Sequence, residues 1–425
     1  SDIEDLGDLE RLRLVLEYMP DEELMQALEK ERGKGRDDFP VRAMWNSILA
    51  GVVFQHISVS SMRRELSRNG QLRFMCGFHK GKVPGAYVYS RFLKNLLEKE
   101  EMINDIFNAL VNELEELLPG FGANLAIDGK AISSLSKREN KNQEEDGRRD
   151  LDANWGKKEY KGVREDGTAW SKVVSWFGYK LHLIVDADYE LPVAYELTKA
   201  SASEVKQGHE MIDELNEVHP ELIDRCETLE ADRGYDDTKL FVKLWDDYGI
   251  KPVIDIRDMW KDSDKTRQLL DYENVIYDCK GNVYCVCMET SRERAMCVGG
   301  FEKDRKSHGT LRKLCPAKQY GIECKYIDKC PVKQGIRIDI DIDRRIFTPI
   351  DRASYKWDRT YDKRTAAERV NSRLDESFGF EKHYIRGIKK MKVRCGIALC
   401  VMLAMAAGRI KEGQAEKMRS LVQSA

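Results

Sequence analysis

Three acidic residues stand in surroundings suited to chemistry. Asp128 closes the apolar run Asn124-Leu-Ala-Ile and precedes Gly129-Lys130, and Asp232 closes Thr228-Leu-Glu-Ala and precedes Arg-Gly-Tyr235. A carboxylate just past a buried strand sits at a sheet edge, where open α/β sheets bind ligands, and the glycine lets the backbone turn sharply. The third acid, Glu368, lies in Tyr361 to Leu374, a stretch without Gly or Pro and rich in helix formers. Helical spacing predicts one face carrying Tyr361, Arg364 and Glu368. Taken alone, this stretch also reads as a solvated helix with ordinary ion pairs. Three carboxylates brought together suit Mg²⁺ or Mn²⁺, hard cations that keep positions open for water and phosphate. The chemistry is phosphoryl transfer.

Asp-Gly-Lys after a first strand, Ala-Asp-Arg-Gly-Tyr after a later one, and a Tyr-x-x-Arg-x-x-x-Glu helix together resemble the DDE transposases of bacterial insertion sequences, over roughly residues 40 to 410. The resemblance implies an α/β fold: a ribonuclease-H-like mixed sheet flanked by helices, with Asp128, Asp232 and Glu368 as the metal-binding catalytic set. It implies double-stranded DNA as partner, both terminal inverted repeats and target, and a homodimer that handles two ends together. Tyr361 and Arg364 become phosphate or end-nucleotide contacts, with Lys130 a weaker candidate. One departure is visible. The family often places a Lys seven residues after the Glu, where this chain has Asp375; Arg369, Arg373 and Lys382 are the nearby bases. The spacing of Asp232 and Glu368 leaves room for an inserted module. Our mechanistic reading is two ions about 3.5–4 Å apart clamping the attacking and leaving oxygens of an in-line displacement.

A chain of 425 residues predicts two or three domains. No charged-then-apolar secretory start is present, and the apolar run from Gly396 to Ala407 is short for a bilayer, so we expect a cytoplasmic protein without a membrane partner; the resemblance implies a bacterial, nucleoid-associated one. The net charge of −3 conceals segregation: residues 1–30 carry ten acids and three bases, whereas residues 352–394 carry thirteen bases and six acids. Local basic patches, not the total, set attraction to phosphate.

Residues 1–120 read as helical, with helices expected over Leu9–Glu17, Asp21–Arg32, from Pro40, Ser60–Arg68 and Ala86–Glu101. The pattern fits a helix-turn-helix arrangement or a generic bundle. The resemblance favours a domain that binds DNA ends, through Arg63, Arg64, Arg68, Tyr87, Tyr89, Arg91 and Lys94. Residues 121–257 and 355–410 read as the catalytic domain. Strands are expected at Leu125–Ile127, Trp176–Asp186, Pro192–Thr198, Thr228–Ala231 and Lys251–Ile256, with a mobile loop over 138–165, a helix through Val218 opened by a Ser201-x-x-Glu204 capping box, and another helix capped by Asp237. The polar tail is 411–425.

Residues 258–354 form a Cys-rich, β-rich insertion holding seven of the eleven cysteines. Such density invites a small structural Zn²⁺ site, with Cys285, Cys315, Cys324 and Cys330 as ligands, or else a β module with free buried thiols. Trp260 reads as a packed aromatic, or as a holder of a flipped base by analogy with relatives that carry an insertion here. Two other functions share the pattern: a DNA-binding regulator descended from a transposase, and a plain metal-dependent nuclease of the same fold.

Overall fold

The structure is a computed structural model. It describes residues 7–420, except 34–37, 79–80, 137–148, 165, 167, 261–263 and 304–306. The chain divides into two compact units: residues 1–121, 129–203 and 366–425 make the first, and residues 122–128 and 204–365 the second.

The first unit begins with seven helices: α1 (Leu9–Tyr18), α2 (Glu22–Arg32), α3 (Val41–Val53), α4 (Val59–Arg68), α5 (Gly70–Met75), α6 (Ala86–Leu97) and α7 (Glu100–Leu117). The expected helix over 86–101 therefore ends early, and Glu100 and Glu101 open α7, where their charge favours a helix N-terminus. Strand β1 (Asn124–Ser133) follows, then β2 (Asn154–Val163), β3 (Ala169–Asp186) and β4 (Leu191–Lys199). β2 and β4 both pair antiparallel with the long β3. The end of β1 runs beside it, where the Ser134 amide donates to the Phe177 carbonyl at 2.8 Å.

β2 corrects the expectation of a loop over 138–165; residues 138–148 and 165 of that span lie outside the described residues. Its sequence is poor in apolar residues because the partner strand supplies them. Gly156 faces Trp176 and Gly162 faces Trp170, with each indole lying over a glycine where a Cβ would collide. Aromatic cover of a cross-strand glycine restores the buried area that the glycine lacks.

The second unit starts with the first half of β1. It continues through α8 (Glu204–Val218), α9 (Pro220–Arg225), β5 (Thr228–Ala231), α10 (Thr238–Val242) and β6 (Lys251–Ile254). β5 pairs in parallel with β1 on one side and β6 on the other. Two small antiparallel sheets follow, β7 (Thr266–Gln268) to β10 (Glu293–Ala295) through β8 (Val275–Asp278) and β9 (Val283–Val286), and β11 (Cys297–Glu302), β12 (Thr310–Leu314) and β13 (Ile336–Asp339). A short helix, α11 (Pro316–Tyr320), lies between β12 and β13. Buried ion pairs fasten this module: Lys313 to Asp351 at 2.6 Å, and Arg345 to Asp236 at 2.7 Å.

The stretch expected as one helix from Tyr361 is broken. α12 (Tyr355–Tyr361) leads into a 3₁₀ turn over Asp362–Arg364, and α13 (Thr365–Phe378) starts afresh. The turn carries a ladder of rings and guanidinium groups, with Arg352 over Trp357, Trp357 stacked on Tyr361 at 4.7 Å, and Arg364 over Tyr361. In a 3₁₀ turn residues i and i+3 eclipse, which sets Arg364 directly against Tyr361.

The first unit closes with α14 (Ile388–Lys411). Among the described residues it is the one helix long and apolar enough to cross a membrane, yet 83% of its apolar window is buried inside the protein. It is the core helix of this unit, and Gly396 and Gly408 admit Tyr195 and Tyr18 against its backbone.

Its start is fixed by Asp150, which is 2% exposed. That carboxylate accepts hydrogen bonds from Ser134 Oγ at 2.6 Å, from the Tyr179 hydroxyl, and from the Gly387 amide at 3.1 Å. Burial favours its protonated form, but the hydrogen bonds prevail and hold it below the usual carboxylate range. Its stabilising contribution is therefore complete above the unfolded pKa and is lost as pH falls through the depressed folded value. Asp150→Asn is expected to cost about 1–3 kcal/mol at neutral pH and to weaken the acid dependence of thermal unfolding. An unchanged melting temperature at pH 7 would contradict this role.

Candidate active site

Parallel pairing sets the first two acids. The Cα register runs from Asn124 opposite Thr228 to Ile127 opposite Ala231, so Asp128 and Asp232 are the next residues on adjacent strands. The Thr228 hydroxyl donates to Asn124 Oδ1 at 2.7 Å, pinning that register at its far end. Beyond β5 the backbone turns at once, as Asp232 Oδ1 accepts from the Gly234 amide at 2.7 Å.

Gly234 is required there by crowding. A Cβ at this position would stand 2.3 Å from Glu204 Oε2 and 2.7 Å from Asp232 Oδ1. Glu204 thus reaches the same place as Asp232, which the sequence reading missed by taking it only as the third helical residue of a capping box. Tyr235 lies beneath them, fully buried, its hydroxyl without a hydrogen-bond partner among the described residues. Burial, and then the charges of Asp128, Glu204 and Asp232, push this hydroxyl well above its ordinary pKa. A buried, neutral O–H thus sits among three carboxylates. Oxygen donors of this kind fit a hard divalent cation.

Glu368 belongs to the first unit. It is exposed on α13, whose buried face carries Ala366, Ala367, Val370, Asn371 and Leu374. Asp375, two turns later on nearly the same side of the helix, is ion-paired with Lys130 of β1. Lys130 follows Asp128 by two residues, so strand alternation puts the two on one face. The acid that stands where a Lys was expected therefore has its base opposite, on the strand.

The other basic candidates are distributed unevenly. Arg369 donates to Glu190 at 2.7 Å, and Arg373 donates to the Glu190 carbonyl, so both clamp the turn before β4. Burial pushes Arg373 down to about 10 against the pull of Glu190. Arg364 and Tyr361 stay with the second unit; burial, offset by Arg364, raises the Tyr361 hydroxyl, and Asp255 and Asp232 add to the rise. Trp260 packs edge-on against Tyr277 at 5.8 Å with the Arg267 guanidinium 4.2 Å above its ring.

Among the helices, Arg64, Arg68, Tyr87, Arg91 and Lys94 are exposed on α4 and α6, while Arg63 donates to the Pro84 carbonyl at 2.7 Å. Tyr89 corrects the reading of this patch, because it is fully buried with its hydroxyl 2.8 Å from Ser47 Oγ. Lys94 also borders a cavity of about 600 Å³ with Lys390, Arg394 and His56 at its walls. Cys285, Cys315, Cys324 and Cys330 line a second, far smaller cavity in the insertion. Among the described residues no group of three or more His, Cys, Asp or Glu side chains stands at metal-ligand spacing.

Residues 124–404 match the family described as the transposase DDE domain. A comparison with curated proteins finds no match. Among solved structures, the chain is similar to a piggyBac transposase synaptic complex with hairpin DNA, at 12% identity and a TM-score of 0.31, covering 98% of this chain and 86% of that one.

The unpartnered hydroxyl makes a direct prediction. Tyr235→Phe in metal-free protein is expected to leave the melting temperature unchanged or to raise it, because an unsatisfied buried group costs about 1–3 kcal/mol. A fall comparable to loss of a hydrogen bond would show that the hydroxyl is bonded.

Proposed function

This chain belongs to the transposase DDE domain family, matched over more than half its length, and we propose that it cuts DNA at the ends of a bacterial insertion sequence and joins them to target DNA, with Asp128, Asp232 and Glu368 as the catalytic set. One observation carries the reading: β1 and β5 present Asp128 and Asp232 side by side at the ends of parallel strands. For Glu368 the support is the Lys130–Asp375 pair, which fastens α13 to the strand that bears Asp128. Neighbours β4–β3–β1 in the first unit and β1–β5–β6 in the second fit the strand order of a ribonuclease-H-like catalytic domain. Residues 1–120 then serve as the DNA-end-binding part, through the exposed bases and Tyr87 of α4 and α6.

The three carboxylates would hold Mg²⁺ or Mn²⁺, which when bound polarises the scissile phosphate and lowers the pKa of water. The chain's own residues do the rest. Arg364, braced against the Tyr361 ring, presents a planar guanidinium for bidentate contact with a phosphate. Lys130 supplies from the strand the base that the helix lacks at 375. Gly234 and the tight turn after Asp232 keep that carboxylate from swinging away. A dimer acting on two ends, and action on nucleoid DNA in the cytoplasm, complete the proposal.

Glu368→Gln is expected to abolish Mg²⁺-dependent strand cleavage, by at least about 10²-fold, while binding to end DNA persists. Near-full cleavage would remove Glu368 from the set. Incubating the protein with pre-cut ends and target DNA separates the alternatives: strand-transfer products support a transposase, degradation indicates a nuclease, and an inert mixture indicates a DNA-binding regulator.

A further inference from the structure

The two small sheets of the insertion have strands of only three to six residues. Modules of this size generally rely on a staple. The cysteines occupy the place where a staple belongs.

Cys285 lies on β9, Cys315 immediately precedes α11 at the end of β12, and Cys324 and Cys330 lie in the turns between α11 and β13. Although far apart in sequence, all four line one cavity of about 20 Å³. That volume suits a single water-sized particle and excludes an organic ligand. None of the four is in a disulfide.

Two further observations point to an ion. The Asn274 side-chain amide donates to Cys330 Sγ at 3.5 Å, as outer-shell donors to metal-bound thiolates do. Arg292 and Arg294 also line the cavity, placing positive charge beside sulfurs that would carry negative charge. Burial, with Cys315, Cys330 and Cys324 close by, raises the Cys285 thiol to about 11.

We propose that Cys285, Cys315, Cys324 and Cys330 bind one structural Zn²⁺ that clamps β9 of one sheet to the end of β12 of the other. Soft thiolates in a closed tetrahedral set favour zinc over the hard cations of the carboxylate site. Binding draws the sulfurs inward to about 2.3 Å from the metal. The turns between Gly321 and Gly335, both at positive φ, provide the compliance for two of them. Each thiol that ligates gives up its proton to solvent, so affinity falls as pH drops. Cys287, one residue past the end of β9 and also at the cavity, is left outside the set.

The test uses the full chain, purified reduced, incubated with ZnCl₂ and desalted. Elemental analysis is expected to find about one equivalent of zinc per chain, retained in Cys287→Ser and Cys279→Ser and lost in the double variant Cys324→Ser/Cys330→Ser. Should that variant fail to fold, the wild-type protein still decides the matter. Stepwise mercurial titration with a zinc-sensitive dye should release the metal in parallel with modification of the cavity thiols. A wild-type chain that retains no zinc, or zinc that survives the double variant or thiol modification, would overturn the assignment.

Discussion

Parallel pairing of β1 with β5 sets Asp128 and Asp232 at the ends of adjacent strands, whose backbones run about 4.8 Å apart. Glu204 adds a third acid at Asp232, and Tyr235 puts a neutral hydroxyl beneath them. A fold does not assemble such a group for stability. The proposed divalent cation would offset the charge gathered there, and the lack of a Cβ at Gly234 lets Glu204 and Asp232 share one place.

β1 has two tasks. Its first half carries the register that places Asp128, and its second half carries Lys130, which grips α13 through Asp375. The 3₁₀ turn between α12 and α13 separates the Tyr361–Arg364 ladder from Glu368, so base and acid are held by different supports. Arg369 and Arg373 illustrate the same economy, since both are committed to the Glu190 turn.

Much of this was legible in the sequence. The short apolar runs before Asp128 and Asp232 read as strands because periodicity and terminal acids agree, and β5 falls on the expected residues. The parts that were not legible depend on distant partners. β2 looks like a charged loop until the indoles of β3 cover its glycines. The break at Asp362 has no Gly or Pro to announce it and follows from the stacking of Trp357, Tyr361 and Arg364. Tyr89 looked available for DNA because nearby Tyr87 is, yet two positions along a helix turn a side chain by about 200°, into the core. Glu204 reads as a helix cap from local spacing, and only the turn after β5 reveals its second neighbour.

The central claim is that the acids of β1, β5 and α13 share divalent cations. Anomalous diffraction from crystals of the protein with end DNA and Mn²⁺, recorded near the manganese edge, tests it most directly. The account predicts anomalous peaks bounded by Asp128 and Asp232, with Glu368 completing the coordination. Manganese bound away from these carboxylates, or bound by Asp128 and Asp232 with Glu204 in place of Glu368, would contradict it.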